Sequence, residues 1–411
     1  MRAFTVGISI RKKGTAVTLN RRSFLGGALT ASSAIVVAGC GASSGKPAAQ
    51  ASISTATSSA TSSATPPATS SVDWPAFGDH LRQQAAAGQF SGAVRVEQKG
   101  QVLLDGAFGM ADRTRNVANT PTTKFCAASM GKMFTAVAIG QLVSAGKVAF
   151  DDTVGKHLPG FSSAIADHVT VAQLLTHTSG MGDVLQHAGP TPPPETLEAQ
   201  IAQIAKTPLS FAPGSSSAYS NSGFIVLGAI VQQASGTAYP SYVHDRVFAP
   251  AGMTDTDIRV YRPADVPGMA HGYALDDSSA LRDNSGDVQI GNPSGGAIST
   301  TADLARFARA LITHQLLDPA MTATLTTGKV TVHRPGGPAQ DSYAYGFEDA
   351  RINGVRFIGH NGGTPGYEGQ LDIYPDTGTT VAIMCNQDRV LVPAIQRTEA
   401  MLTGSAGAPT G

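Results

Sequence analysis

The chain lacks what a metal site or a disulfide framework would need. Its 411 residues hold three cysteines, Cys40, Cys126 and Cys385, and none forms a C-x-x-C pair. A zinc ribbon and a disulfide-stapled fold are therefore excluded. H-E-x-x-H is absent too, so neither a metal nor a cofactor is expected. Charge is scarce and balanced, with 29 Lys plus Arg against 29 Asp plus Glu. No basic run or aromatic-basic stripe stands out, so nucleic acid is not an expected partner. The apolar run from Ala28 to Gly39 is well short of the ~20 residues that span a bilayer, and reads as part of a signal segment.

The front end looks like an address. Arg21-Arg22-Ser23-Phe24-Leu25 resembles a twin-arginine export signal, and Val37-Ala38-Gly39-Cys40 resembles a bacterial lipobox. Lipidation of Cys40 would anchor the protein to a membrane in the cell envelope. The alternative is a small-residue cleavage site with an incidental cysteine, giving a soluble periplasmic or secreted protein. Residues 41–72 are almost entirely Ser, Thr, Ala and Pro, with Lys46 the one charge. Such a stretch cannot bury enough apolar surface to offset its ordering entropy. As a tether it would reach roughly 30 Å. The reading is thus a signal segment at 1–40, a tether at 41–72, a folded domain at 73–403 and a tail at 404–411. No internal repeat is seen.

Within the domain, Trp74 to Ala87 reads as a helix. Ser91–Gln98 and Val102–Phe108 read as strands around Lys99-Gly100. Thr170 can cap a helix at Val171–His177, with Gly180 just past its end. Ser222–Ala234 and Ala302–Ile312 are further helices, the second preceded by Thr300-Thr301. After Ser342 the texture changes to strands: Val355–Ile358 behind Asn353-Gly354, then Gln370–Tyr374 and Thr379–Cys385 around a Pro375–Gly378 turn. A last helix covers about Val392 to Leu402. The first two strands should meet the last three in one antiparallel sheet, with the intervening helices on one face and in a lobe, which is α+β.

A serine precedes a lysine by three residues at Ser9/Lys12, Ser43/Lys46, Ser129/Lys132 and Ser144/Lys147. The first two pairs fall in the export segment and the tether, and the last ends a helix beside Gly146. Only Ser129 opens a helix, where free N–H groups and the positive dipole end suit a developing oxyanion. Lys132 lies one turn on, among Met130, Met133 and Phe134. Such surroundings should depress an amine's proton affinity until it can take a serine proton. Read alone, the pair is more simply a capping serine beside a solvated lysine.

Two later segments add to it. Tyr219 and Asn221 stand two apart behind the Pro213-Gly214 turn and just before a helix. The phenol could relay a proton and the carboxamide could hold an amide or Lys132, although a core tyrosine beside a capping asparagine fits as well. His360-Asn361-Gly362-Gly363 ends the Val355–Ile358 strand. Its glycines let a substrate approach the backbone, and the Gly363 N–H could pair with that of Ser129 as an oxyanion hole. His187-Ala188-Gly189 has the same short form but lies in a Pro-rich loop.

S-x-x-K, then Y-x-N, then a basic residue two before glycine, in this order, is similar to the serine β-lactamase and penicillin-binding protein superfamily. The chain most resembles its class C-like β-lactamase-related branch of esterases and D-aminopeptidase or D-Ala-D-Ala carboxypeptidase relatives. The likeness runs from about Phe90 to Leu402 and includes Leu174–Met181, Tyr219–Phe224, Ala251–Thr256 and Gly295–Thr300. It implies an antiparallel sheet made from both chain ends, flanked by helices, with a mostly helical inserted lobe. It also implies an acyl-enzyme route to ester, amide or peptide cleavage. Ser129 would be the nucleophile, Lys132 and Tyr219 would share the proton work, and Asn221, His360 and Gly362 would position substrate. Ser129 and Gly363 would supply the oxyanion hole, and no cofactor or metal is implied.

One departure bears on substrate. Where such lactamases and carboxypeptidases commonly carry Lys-Thr-Gly, this chain has His360-Asn361-Gly362. A histidine near its ordinary pKa of about 6.5 is mostly neutral where lysine is a fixed cation. That favours esters and less acidic amides over β-lactams or D-Ala-D-Ala peptides. A non-catalytic relative binding wall peptides or penicillin is the other class of function. Gly41-Ala42-Ser43-Ser44-Gly45 matches G-x-S-x-G but has no strand before it or helix after it. Cys126 and Cys385 read as core residues, Asp151-Asp152 and Asp276-Asp277 as solvated charges, and His177 as a structural histidine bonding backbone.

Overall fold

The computed structural model describes residues 72–184, 194–332 and 340–404. Residues 1–71, on which the expected export segment, Cys40 and the expected tether fall, and His187 and residues 405–411 lie outside the described residues. Asp73 starts helix α1 (Trp74–Ala86), its Oδ1 accepting from the Ala76 N–H at 2.9 Å. Strands β1 (Gly92–Gln98) and β2 (Gln101–Phe108) follow. They are joined by Lys99-Gly100, both with positive φ (50° and 83°), as a two-residue hairpin with strand-matched twist demands. Helices α2 (Gly131–Ser144), α3 (Val171–Leu175), α4 (Asn221–Ser235) and α5 (Thr301–Ile312) fill the middle of the chain. Strands β3 (Val330–Thr331), β4 (Gln340–Tyr343), β5 (Glu348–Ile352), β6 (Val355–Thr364), β7 (Tyr367–Tyr374) and β8 (Thr379–Cys385) then precede α6 (Leu391–Thr403).

These strands form one eight-stranded sheet in the order β3-β4-β5-β6-β7-β8-β1-β2, antiparallel throughout. Strand periodicity sorts its two faces. Ala93, Leu371, Ile373, Ala382 and Met384 join the larger core with α2, α4 and α5. Val94, Val96, Val381 and Ile383 face the other way, onto Trp74, Phe77 and Leu81 of α1 and Leu391 and Ala394 of α6. The sheet is thus covered on both sides, and β8 is buried along its whole length.

At the centre of the larger core lies α2, buried on nearly every side. Phe134 meets Phe248 and Phe307 edge to face at 5.1 and 4.9 Å. Truncating a ring so placed typically costs about 3–5 kcal/mol, so this helix is a rigid platform. The residue out of keeping with it is Lys132, fully buried among the apolar side chains.

Several expectations are corrected. The sheet takes six strands from the C-terminal part rather than three, because β3, β4 and β5 extend it beyond β6. Strand β6 runs on to Thr364, so His360 to Gly363 lie inside a paired ladder. The terminal helices cover a second face that the sequence reading left open. Asp152 is buried, bonded by the Ala149 N–H, Lys156 and His157, and is not a solvated charge. Helix α3 stops at Leu175, short of His177, which takes φ = 60°. Cys126 and Cys385 are buried free thiols, as expected.

Candidate active site

Ser129 lies in a three-residue 3-10 turn, Ala128–Met130, two residues before the start of α2 rather than at its first residue. A short strand pair, Phe125–Cys126 with Ile298–Ser299, anchors the entry to this turn. Ala128 has φ = 42°, a left-handed conformation that costs a non-glycine residue roughly 1–2 kcal/mol. Two glycines close on the turn. A Cβ at Gly295 would lie 2.4 Å from the Ala128 carbonyl oxygen, and one at Gly362 would lie 2.5 Å from that of Ala127. Only glycine allows β6 so near the serine.

Ser129 Oγ is held from two sides. Tyr219 donates its hydroxyl to it at 2.7 Å, and Lys132 Nζ stands 3.3 Å away. The same Nζ donates to Asn221 Oδ1 and to the Ser294 carbonyl, each at 2.7 Å. A neutral amine has two N–H donors and one lone pair. With both donors engaged by acceptors, the lone pair is left for the serine hydroxyl. Burial brings the Lys132 pKa down from 10.5 to about 7, against an opposing pull from the Asp183 carboxylate. The amine also lies 4.7 Å from the centre of the Tyr219 ring.

The local fold explains why Asn221 is available. Helix α4 is capped by Ser220, whose Oγ accepts from the Gly223 N–H at 3.2 Å. The capping role suggested for Asn221 belongs to its neighbour, so the Asn221 amide reaches Lys132 on one side and Asp183 Oδ2 on the other, at 2.8 Å. His177 backs Tyr219, with ring centres 4.5 Å apart, and its Nδ1 accepts from the Ser220 N–H at 3.1 Å. Burial, then the charges on Lys132 and His360, push its pKa well below 6.5. It is a neutral, structural histidine, as its bonding to backbone suggested.

His360 and Gly362 lie on the β6 face that carries Ile358 toward the larger core. His360 is buried, its Nδ1 against the Asn361 carbonyl oxygen and its Nε2 2.9 Å from the Tyr343 hydroxyl. A carbonyl can only accept, which puts a proton on Nδ1; when the ring is neutral, Nε2 then accepts from Tyr343. Tyr343 packs on His177 with ring centres 4.7 Å apart, so His360 connects to Tyr219 through two intervening rings. Gly363 is exposed, with open space where a side chain would be.

Ser129, Lys132, Tyr219 and Asn221 therefore converge in one hydrogen-bonded group, with Gly362 against its turn and His360 behind it. Asp183, Tyr343 and the Ser294 carbonyl were not anticipated. A backbone carbonyl leaves no mark in a sequence. Asp183 and Tyr343 are single residues in loop and strand whose proximity depends on the fold. Two surface grooves of about 470 and 480 Å³ lie elsewhere, beside α1 with β2 and beside α1 with α6.

Comparison with known proteins gives the family and the fold. The Beta-lactamase family profile matches residues 77–404. The chain belongs to the Beta-lactamase family. A penicillin-binding protein of Bacillus subtilis strain 168 is 29% identical over 324 residues, covering 73% of this chain and 69% of that protein. The crystal structure of a penicillin-binding protein from Bacillus halodurans superposes with a TM-score of 0.70 at 28% identity, covering 78% of this chain and 99% of that one. A D-stereospecific amidohydrolase from a Streptomyces species superposes at 0.66 and 26% identity, covering 81% and 100%. The α+β architecture is the fold of this family.

Proposed function

We propose that this family member is an exported serine hydrolase that cleaves ester or amide bonds through a Ser129 acyl-enzyme, acting as a carboxylesterase or peptidase-like enzyme. The observation that carries the reading is the placement of Ser129 Oγ between the Tyr219 hydroxyl and a Lys132 amine whose two donors are already engaged. Lys132 takes the serine proton as Oγ attacks the carbonyl carbon. Tyr219 donates toward the serine oxygen and relays a proton to the leaving group. The N–H groups of Ser129 and Gly363 receive the tetrahedral oxygen. Water, activated by the same pair, then releases the acid and restores the serine.

The substrate class follows from His360. Its two ring nitrogens are engaged by the Asn361 carbonyl and Tyr343, which disfavours their pairing directly with a substrate carboxylate. Esters and amides without an adjacent carboxylate fit best. Relatives named penicillin-binding proteins, at 28 and 29% identity, make β-lactam acylation the second reading. Arg21-Arg22 and the Val37–Cys40 stretch support export and lipid anchoring at Cys40.

A fluorophosphonate probe should label the wild type and not Ser129→Ala. Folded wild type that takes no label would make the protein a binding relative instead. A panel of p-nitrophenyl esters, D-amino acid amides, a D-Ala-D-Ala peptide and nitrocefin then separates the substrate classes, and turnover confined to nitrocefin or the peptide would overturn the ester and amide assignment. The Cys40→Ala protein should leave the membrane fraction; an unchanged fraction refutes the anchor.

A further inference from the structure

We propose that Asp183 is a positioning residue of this site, fixing Asn221 and, through it, the Lys132–Ser129 pair in the reactive arrangement. The assignment rests on the serine-hydrolase reading above. A carboxylate accepts and does not donate, so the Asn221 amide must turn its NH₂ toward Asp183 Oδ2, at 2.8 Å. That orientation presents Oδ1 to Lys132 Nζ, at 2.7 Å. An amide turned the other way would set an N–H against the Lys132 donors and break the pattern that aims the amine's lone pair at Ser129.

Two further features fit the same role. Asp183 Oδ2 lies 3.4 Å from the backbone nitrogen of Asn221, at the N-terminus of the fifteen-residue α4, where negative charge is stabilised. Residues 177–184 are also fastened to residues 218–222 along their length. The Ala218 N–H donates to the His177 carbonyl at 3.0 Å, and Ser220 Oγ to that of Gly182 at 3.3 Å. The Val184 N–H donates to Ser222 Oγ at 3.0 Å. From the 177–184 side of this clamp, Asp183 bonds the Asn221 amide that holds Lys132. It is 5% exposed, so its charge acts with little screening by water.

Among the described residues, the titratable groups around Lys132 are Asp183, Tyr219 and His177, with His360 beyond His177. Asp183 is the one among them whose negative charge favours the protonated amine, opposing the effect of burial. Removing that charge should do two separable things. It should loosen the hold on Asn221, lowering the plateau rate reached once Lys132 is neutral, and it should lower the pH at which Lys132 gives up its proton.

The test measures fluorophosphonate labelling of Ser129 and ester turnover against pH for the full chain, Asp183→Asn and Asp183→Glu, alongside thermal melts. Asp183→Asn should lower the high-pH plateau by about tenfold to a hundredfold. It should also move the acid limb down by about one pH unit. Asp183→Glu keeps the charge but displaces it by a methylene, so its limb should stay in place while its plateau falls. A lower plateau with an unmoved limb in Asp183→Asn would reduce the residue to a structural brace and overturn the assignment. Should Asp183→Asn fail to fold, Asp183→Glu decides, because a plateau equal to wild type overturns the claim of positioning. Folded wild type that never labels at Ser129 overturns the hydrolase reading itself, and this assignment with it.

Discussion

The Tyr219 hydroxyl lies 2.7 Å from Ser129 Oγ, while Lys132 Nζ lies 3.3 Å from the same atom. The closer group donates to the serine and the farther one is arranged to accept from it. This division follows from what else each touches. Lys132 has its donors committed to Asn221 and Ser294, whereas Tyr219 is fixed by its ring against His177.

Removing either group should therefore stop the chemistry without unfolding the protein. Tyr219→Phe keeps the ring packing on His177 and loses only the hydroxyl. Lys132→Ala loses the base and leaves a cavity of four heavy atoms beside Asn221, in a helix otherwise held by its apolar packing. Each should slow ester turnover by a hundredfold or more, the range of proton-transfer catalysis. Stopped-flow acylation with an activated ester, beside circular dichroism spectra, reads both effects. Retained activity in both variants would contradict the roles assigned.

The sign of the pH dependence follows from Lys132. The amine works only when neutral, and its pKa is brought down to about 7. The second-order rate constant should therefore be low in acid, rise through about pH 7 and level off above it. An unburied lysine would put that limb near its ordinary 10.5. A limb at the higher value would show the amine to be hydrated in solution. A limb near pH 4 would point to a carboxylate base instead.

How much of this could be read from the sequence depends on the residue. Ser129, Lys132, Tyr219 and Asn221 were legible through the order of S-x-x-K and Y-x-N along the chain, since each pair alone reads more simply as a cap, and the structure brings all four together. The Lys99-Gly100 and Asn353-Gly354 hairpins were legible because both need positive φ at two successive residues. The continuation of β6 through Gly362 and Gly363 was not. Glycine argues against strand by propensity, and only the pairing with Gly369 and Glu368 on β7 overrides it. Asp183 was hidden for another reason: its role is a contact across 38 residues of chain, and no local pattern encodes it.

Gly362 links the sheet to the serine. A Cβ there would lie 3.0 Å from the Ser129 nitrogen and 2.5 Å from the Ala127 carbonyl oxygen, both backbone atoms that cannot rotate away. Gly362→Ala must push β6 or the turn aside by a fraction of an ångström. Misplacement on the ångström scale costs about a hundredfold in rate, so turnover should fall between tenfold and a hundredfold. Gly354→Ala would be strained by its φ of 80° but meets no neighbouring atom and lies away from the serine, so its effect should fall on stability alone. Equal turnover in Gly362→Ala and wild type would mean that β6 need not approach the turn this closely.

Asp152 offers a test of stability rather than rate. Burial works to raise its pKa, but bonds from Lys156, the Ala149 N–H and His157 outweigh it and bring the group from 3.8 to about 2. A carboxyl depressed on folding contributes stability that is fully present above its unfolded pKa and is lost as pH falls through the folded value. The Tm gap between wild type and Asp152→Asn should therefore be widest above about pH 4 and close as pH approaches about 2. The backbone bond made here is one the substitution leaves in place. The Asp152 carbonyl accepts from the Val171 N–H at 3.0 Å, bracing the start of α3, whose far end leads to His177. Asp152→Asn should thus unfold at lower temperature near neutral pH while the folded fraction keeps its turnover. A Tm gap that stays constant across this pH range would show that the loss comes from packing and not from the carboxylate charge.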